Sequence, residues 1–200
     1  MEERKIGEYT VLSSFCIGGR EIALCENRSA PKEEVYLCGV IERNDLFERL
    51  TDCLASESYA DVAAVFGDRI AEEAEKMQLE IEKRGKALGK DAELTEKDCI
   101  PITQADCLKG KVIVIRGDTL YPEFRRASFQ VMYCTGGFGA QPNARGRTCF
   151  GNSLYDGGSM QCRRDEVLGI LPDAQLRERM RERYNKVKER DEMNEPETGR

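Results

Sequence analysis

Arginines and glycines are concentrated in one short segment, where they could bind an anion. Residues 134–151, here called the glycine loop, read CTGGFGAQPNARGRTCFG. Glycine serves where the backbone takes a positive φ or closely approaches another group, and the amides of such a turn can hold an anion. Arg145 and Arg147 would add positive charge. The predicted binding residues in and near this segment are Arg125, Arg126, Gly136, Gly137, Phe138, Gly139, Asn143, Arg145 and Arg147.

The glycine loop matches neither common phosphate-binding motif. A P-loop requires a lysine and then Ser or Thr after its last glycine, and no such pair follows these glycines. The dinucleotide-binding fingerprint leads from a strand into a helix, whereas Gly137-Phe138-Gly139 leads towards another strand-like run. Three interpretations remain: a long hairpin loop whose glycines serve turn geometry alone, a contact with an anion or nucleic acid, and a contact with a protein.

The absence of histidine and the presence of nine cysteines narrow the available chemistry. Without histidine there is no Ser-His-Asp or Cys-His arrangement and no His-containing zinc site. The cysteines are odd in number and none form a C-x-x-C pair, so we expect reduced thiols packed as small apolar side chains. The alternative is a reactive thiol at Cys149, beside the cationic Arg145 or Arg147. No catalytic residue, metal ligand or cofactor is predicted.

Charge is distributed unevenly along the chain. Residues 1–96 hold 13 Lys/Arg and 22 Asp/Glu, whereas residues 97–171 hold 10 and 7. This asymmetry predicts at least two functional surfaces. No apolar run approaches the roughly 20 residues that cross a bilayer, and the sequence after Met1 lacks an apolar signal segment. We therefore expect a cytoplasmic protein that makes no membrane contact.

Apolar periodicity predicts an α+β protein in four parts. Residues 1–88 form a ββ(β)αα domain, 89–97 a linker, 98–171 a small β-rich domain with the glycine loop, and 172–200 a charged helix with a disordered end. In the first domain, β-prone runs around Gly18-Gly19 predict a hairpin, and EVYLCGVI predicts a third strand.

Two helices are expected to cover this antiparallel three-stranded sheet. The second would begin after Ser58 and carry an apolar stripe over residues 59–81. The first would follow a cap at Asn44 or Asp45, and its apolar residues at helical spacing are Leu46, Phe47, Leu50, Cys53 and Leu54.

The second domain is expected to be a small barrel or a strongly curved sheet. Its strand-like runs are KVIVIR, SFQVMYCT, RTCFGNSLY and SMQCR, followed by a short turn at VLGIL. An Arg/Glu-rich helix from Asp173 to about Glu192 would then dock or project. Its narrow apolar stripe consists of Leu176, Met180, Tyr184 and Val187.

Several motifs resemble small uncharacterised accessory proteins encoded on conjugative elements of gut Firmicutes. They are EYTVLSSFCIGGREIALCENRSAP, Pro122-Glu123-Phe124-Arg125, Thr135-Gly136-Gly137-Phe138-Gly139 and Asn143-Ala144-Arg145-Gly146-Arg147. The resemblance implies a mobile-element context, in replication, transfer or defence against the host. That family has no assigned activity, so the resemblance implies no catalytic residues.

We therefore expect a non-enzymatic accessory protein that binds a protein partner. A specific role consistent with this expectation is inhibition of a host defence nuclease, because an acidic first domain could compete with DNA for the nuclease's basic channel. The alternative is a single-stranded nucleic-acid-binding protein that uses the arginine and aromatic surface of residues 116–164. A third alternative is a thiol- or nucleotide-dependent enzyme that uses the glycine loop. The oligomeric state is left open.

Overall fold

The computed structural model describes residues 3–44, 47–88, 91–176 and 178–194. The chain divides into two compact units, residues 1–81 (unit 1) and 82–200 (unit 2). Unit 1 carries 9 Lys/Arg and 18 Asp/Glu, whereas unit 2 carries 22 and 19. Negative charge therefore predominates in unit 1 and positive charge in unit 2. Among the described residues, no helix has the length and apolar character needed to cross a membrane.

Unit 1 is built on five antiparallel strands in chain order, curled into a half-barrel. In the central strand, Ala23 and Cys25 face one apolar cluster, while Ile22 and Leu24 face another. The strands are β1 Lys5–Ile6, β2 Tyr9–Ile17, β3 Arg20–Glu26, β4 Tyr36–Arg43 and β5 Glu48–Ser56. The hairpin expected around Gly18-Gly19 is confirmed as β2 and β3.

Helix α1, Tyr59–Leu88, packs Val62 and its apolar neighbours against the second cluster of unit 1. The predicted helix start is confirmed, because Ser58 Oγ accepts a hydrogen bond from the Asp61 amide at 3.3 Å. A side-chain acceptor before the first turn satisfies an amide that has no partner within the helix.

The helix predicted at residues 46–54 is wrong, because residues from Glu48 onwards form β5, and the expected three-stranded sheet has five strands. Leu50 lies opposite Ile41 and Leu54 opposite Cys38, with one extra residue of β5 between the two pairs. Asp52, at φ 50°, lies at this irregularity. A bulge shifts side-chain alternation by one position, so the apolar spacing imitates that of a helix.

The predicted cap at Asn44 has a different role in the structure. Its side-chain oxygen accepts a hydrogen bond from the Phe47 amide at 2.9 Å in the turn between β4 and β5. The other predicted cap, Asp45, and the predicted apolar residue Leu46 lie outside the described residues.

Unit 2 contains a second antiparallel sheet, in the order β10-β6-β7-β8-β9. Its strands are β6 Val112–Ile115, β7 Val131–Gly136, β8 Thr148–Ser153, β9 Ser159–Arg163 and β10 Val167–Ile170. In the described part of the chain no pairing joins the edge strands β9 and β10, so of the two expected forms, a small barrel or a strongly curved sheet, the closed barrel is wrong. The turn expected at VLGIL is wrong, because this run pairs with β6 and its Val167 and Gly169 are buried.

The sheet of unit 2 has an apolar cluster on each face. One face carries Val112, Val114 and Tyr133, and the other carries Ile113 and Met132. The four-residue helix α2, Ala127–Gln130, precedes β7, and helix α3, Glu178–Asn194, packs against the first face. Of the predicted apolar stripe, Met180, Tyr184 and Val187 dock on the sheet from α3, and Leu176 packs there from the segment before it. The predicted helix start at Asp173 is wrong, because Asp173–Gln175 forms a short 3-10 turn and α3 starts at Glu178. Residues 195–200, predicted to be disordered, lie outside the described residues.

Buried polar side chains hold the segment that precedes β6. Asp91 accepts hydrogen bonds from the Ser128 amide (2.8 Å) and hydroxyl (2.7 Å). The Gln130 side chain donates to the carbonyl oxygens of Leu94 (3.1 Å) and Ile115 (3.0 Å). Because buried polar groups stabilise a fold only when they are paired, these contacts fix residues 91–94 against the sheet.

Candidate binding site at the glycine loop

Close backbone packing requires glycine at several positions of the loop. Gly137 has φ 103°, a conformation that L side chains rarely adopt. A Cβ at Gly137 would collide with the Thr148 carbonyl oxygen, and one at Gly139 would collide with the Arg147 carbonyl oxygen. The first half of the loop therefore lies directly on the backbone that leads into β8.

The second half of the loop passes beneath Phe138. A Cβ at Gly146 would collide with Cβ of Phe138, whose side chain is 81% exposed. Asn143 takes the left-handed conformation at φ 53°, and its amide donates to the Gln104 carbonyl oxygen at 2.6 Å. Phe138 is thus held in an exposed position against Gly146, the residue that separates Arg145 from Arg147.

The buried side chain of Arg164 anchors the glycine loop. It is 7% exposed and donates hydrogen bonds to the carbonyl oxygens of Gly139 (2.6 Å), Thr103 (2.8 Å) and Asp106 (2.8 Å). Longer contacts reach the carbonyl oxygens of Gln141 (3.2 Å) and Gln104 (3.5 Å). A planar guanidinium with five donors suits such a set of acceptors. Its contacts join the glycine loop to residues 103–106.

Asp106 stabilises the turn that Arg164 holds. Its carboxylate accepts hydrogen bonds from the Thr103 amide (2.6 Å) and hydroxyl (2.8 Å). These two bonds, followed by the charge of Arg164, hold the pKa of Asp106 below its ordinary value. The carboxylate therefore stays charged near neutral pH and faces a cationic neighbour.

Arg145 and Arg147 line a cleft of about 450 Å³ beside this anchor. Both side chains are exposed, and neither forms a hydrogen bond or ion pair with another described residue. The Asp165 carboxylate also lines the cleft, but it is paired with Arg163 at 2.7 Å. The cleft therefore presents positive charge to solvent, supplied by side chains on a fixed backbone.

The predicted binding residues do not form a single site. Gly137, Phe138, Gly139, Arg145 and Arg147 lie together in the folded loop. Asn143 shapes the loop through its backbone, and Gly136 ends β7. Arg125 and Arg126 lie outside the cleft, before α2, where Arg125 Nε donates to the Leu120 carbonyl oxygen at 3.2 Å.

Cys149 lies in a buried cluster with two other thiols. It is 0% exposed, and Cys162 is its direct partner on β9. Hydrogen bonding with Cys134 and Cys162, aided by the charge of Arg164, lowers the pKa of Cys149, while the same contacts and burial raise the pKa of Cys134 and Cys162. The cation acting on Cys149 is thus Arg164 rather than Arg145 or Arg147, and burial keeps reagents from its sulfur.

Sequence reasoning placed Arg164 on an exposed arginine surface, but the side chain is buried. The alternation of β9 continues into the residue that follows the strand, so Cys162 and Arg164 are buried whereas Gln161 and Arg163 are exposed, but which of the two faces is buried depends on the order of the strands. Within the described residues, no group of three or more Cys, Asp or Glu side chains could hold a metal ion. Comparisons of this chain with protein-family models, curated proteins and solved structures gave no match.

Proposed function

We propose that this chain is a non-enzymatic binding protein whose glycine-loop surface docks on an acidic segment of a protein partner. The glycine-loop surface is defined as Phe138, Arg145 and Arg147. The observation that carries the proposal is the exposure of all three side chains, with no partner for either arginine in the described chain, on a backbone held by Arg164.

The composition of this surface suits a protein contact. Arginine and aromatic side chains supply much of the binding energy in protein interfaces. A guanidinium can bind a carboxylate through two parallel hydrogen bonds. Because the loop backbone is already fixed, little conformational entropy is lost when a partner binds.

Acidic unit 1 supplies less free negative charge than its composition suggests. Glu21 pairs with Arg4 (2.6 Å) and Arg43 (2.7 Å), and Glu42 pairs with Arg49 (2.6 Å). These pairs weaken the case for a DNA-mimicking surface, so the glycine-loop surface is the proposed contact. A mobile-element context stays a prediction that rests on the resemblance, and inhibition of a host defence nuclease stays a prediction that rests on the resemblance and on the acidic composition of unit 1.

Quantitative mass spectrometry of proteins retained from a lysate of the source cells tests the proposal. The tagged chain is compared with Arg145→Ala/Arg147→Ala and with a charge-matched control, Arg28→Ala/Arg49→Ala, whose exposed arginines are paired within unit 1. A partner should be retained by the wild type and the control, at tenfold or higher excess over the loop variant. Equal retention by all three proteins, or retention abolished by nuclease treatment, would contradict the proposal.

A further inference from the structure

The sheet of unit 2 leaves part of one face uncovered. Helix α3 packs on the face that carries Val112, Val114 and Tyr133. On β8, Asn152 lies opposite Tyr133. Side chains two residues apart share a face, so Phe150 belongs to that same face. Phe150 is 49% exposed, so neither α3 nor another described element covers it completely.

Cationic side chains of α3 border the uncovered area. A cleft of about 490 Å³ lies between the helix and the sheet, lined by Thr135 and Asn152 on one side and by Arg183, Lys186 and Arg190 on the other. None of these three cations pairs with another described side chain. Lys186 and Arg190 are one helical turn apart, about 6 Å along the axis.

The carboxylates that line this cleft are already engaged. Asp156 accepts a hydrogen bond from the Gly158 amide at 3.0 Å and lies 3.8 Å from Arg84, whose guanidinium stacks between Phe129 and Tyr155. Asp191 accepts a hydrogen bond from the Tyr133 hydroxyl at 3.1 Å. The three cations outnumber these two carboxylates, one of which also faces Arg84, so the cleft retains a net positive charge for an external anion.

We propose that this surface, the β8 face, binds a single-stranded nucleic acid. It is defined as Phe150, Asn152, Arg183, Lys186 and Arg190. The exposed side chain of Phe150 offers a stacking platform for one base. The α3 cations line the cleft at Asn152, two residues along β8 on the same face, where their row matches a chain of phosphates. A duplex would not present the flat side of a base to Phe150, because its bases are stacked on one another. The proposal is independent of the function proposed above, because the two surfaces share no residue.

Fluorescence polarisation with a labelled oligothymidine of about twelve nucleotides, and with the matching oligouridine, tests the β8 face. Lys186→Ala/Arg190→Ala removes two exposed cations from the cleft. Arg179→Ala/Lys188→Ala removes two cations of the same helix that do not line it. For aromatic stacking, Phe150→Leu is compared with Phe15→Leu, which alters a ring in unit 1 that is 48% exposed.

The wild type should bind both oligomers. A plot of log affinity against log salt concentration should have a slope that is shallower by about 1.4 in the Lys186→Ala/Arg190→Ala variant, because each of the two lost phosphate contacts contributes roughly 0.7. Phe150→Leu should weaken binding about tenfold, while both controls and Arg145→Ala/Arg147→Ala should bind like the wild type. Tighter binding of oligothymidine would identify the natural ligand as DNA, and tighter binding of oligouridine would identify it as RNA. Either result supports the proposal.

Two results would overturn the proposal. One is no binding of either oligomer at about 50 mM salt, where phosphate contacts are strong. The other is a combined result in which polyglutamate of equal charge displaces the oligomer and Phe150→Leu leaves the affinity for the oligomer unchanged. That result would assign the β8 face to an acidic protein. The double variants change exposed side chains only, and circular dichroism verifies that they fold.

Discussion

The Arg164 guanidinium donates a 2.6 Å hydrogen bond to the Gly139 carbonyl oxygen, and this contact fixes the glycine loop to the end of β9. The same side chain bonds the carbonyl oxygens of Thr103 and Asp106. A buried guanidinium that pairs with carbonyl oxygens leaves several unsatisfied acceptors when it is removed. Arg164 is therefore the structural support of the glycine-loop surface.

Replacement of this support should destabilise the chain strongly. We expect Arg164→Ala to lower the free energy of unfolding by about 3 kcal/mol, with a smaller loss for Arg164→Lys, which keeps the charge but presents fewer donors. Urea denaturation followed by circular dichroism measures the change. Arg116→Ala, which removes an exposed arginine paired with Asp118 at 2.6 Å, should change the stability little, because exposed ion pairs are screened by solvent. Equal losses in the alanine variants would show that Arg164 is not a support.

The close packing of the loop glycines gives a second prediction. Gly139→Ala should lower the free energy of unfolding by about 2 kcal/mol or more, because the new methyl group would collide with the Arg147 carbonyl oxygen. Gly67→Ala, in α1, meets nothing within 4 Å and should raise stability by about 1 kcal/mol through helix propensity. Thermal unfolding of both variants separates the two effects, and a neutral Gly139→Ala would contradict the loop geometry.

Stability should depend on the ionisation of Asp156. Burial works to raise the pKa of this carboxyl, but hydrogen bonds from Gly158 and Ser153 and the charge of Arg84 hold the pKa below its ordinary value. Since the folded pKa is the lower one, the stabilisation is present above the unfolded pKa, about 3.9, and is lost as the pH falls through the folded value. The urea midpoint is measured at pH 7 and at pH 3 for the wild type and for Asp156→Asn. Between these two pH values the midpoint of Asp156→Asn should fall less than the midpoint of the wild type. An identical fall in both proteins would contradict this role.

The nine cysteines should differ in reactivity according to exposure. Cys53 and Cys107 are exposed, whereas Cys134, Cys149 and Cys162 are buried. In native protein, iodoacetamide should label Cys107 and Cys53 first, although burial raises the pKa of Cys53. Labelling of Cys149 should require unfolding, because a lowered pKa does not expose its sulfur. Mass spectrometry of a labelling time course measures the order, and early modification of Cys149 would revive the reactive-thiol hypothesis.

Local sequence patterns predicted the elements that local forces determine. The Gly18-Gly19 hairpin, the start of α1 after Ser58 and most strands of unit 2 followed from turn chemistry and periodicity. The bulge at Asp52 concealed β5, because the extra residue produces helical spacing in a strand. Such a feature depends on pairing with β4, which the local pattern does not encode.

The candidate sites were predictable to different degrees. Arg145 and Arg147 stood out because glycines surround them in the sequence. Burial of Arg164 and the thiol cluster around Cys149 depend on the order of the strands, so sequence reasoning missed them. In the sequence the cations of α3 resemble an ordinary charged helix face, whereas in the structure Lys186 and its neighbours line a cleft with Asn152 of β8.

Site-specific photocrosslinking tests the proposed function most directly. A benzophenone amino acid replaces Phe138, and the control places it at Phe15, an exposed ring of unit 1. Illumination in a lysate of the source cells should give a defined protein adduct from position 138 that is absent from position 15. The adduct should disappear when Arg145→Ala/Arg147→Ala is added. No adduct at position 138, or one that persists without the two arginines, would contradict docking through the glycine-loop surface.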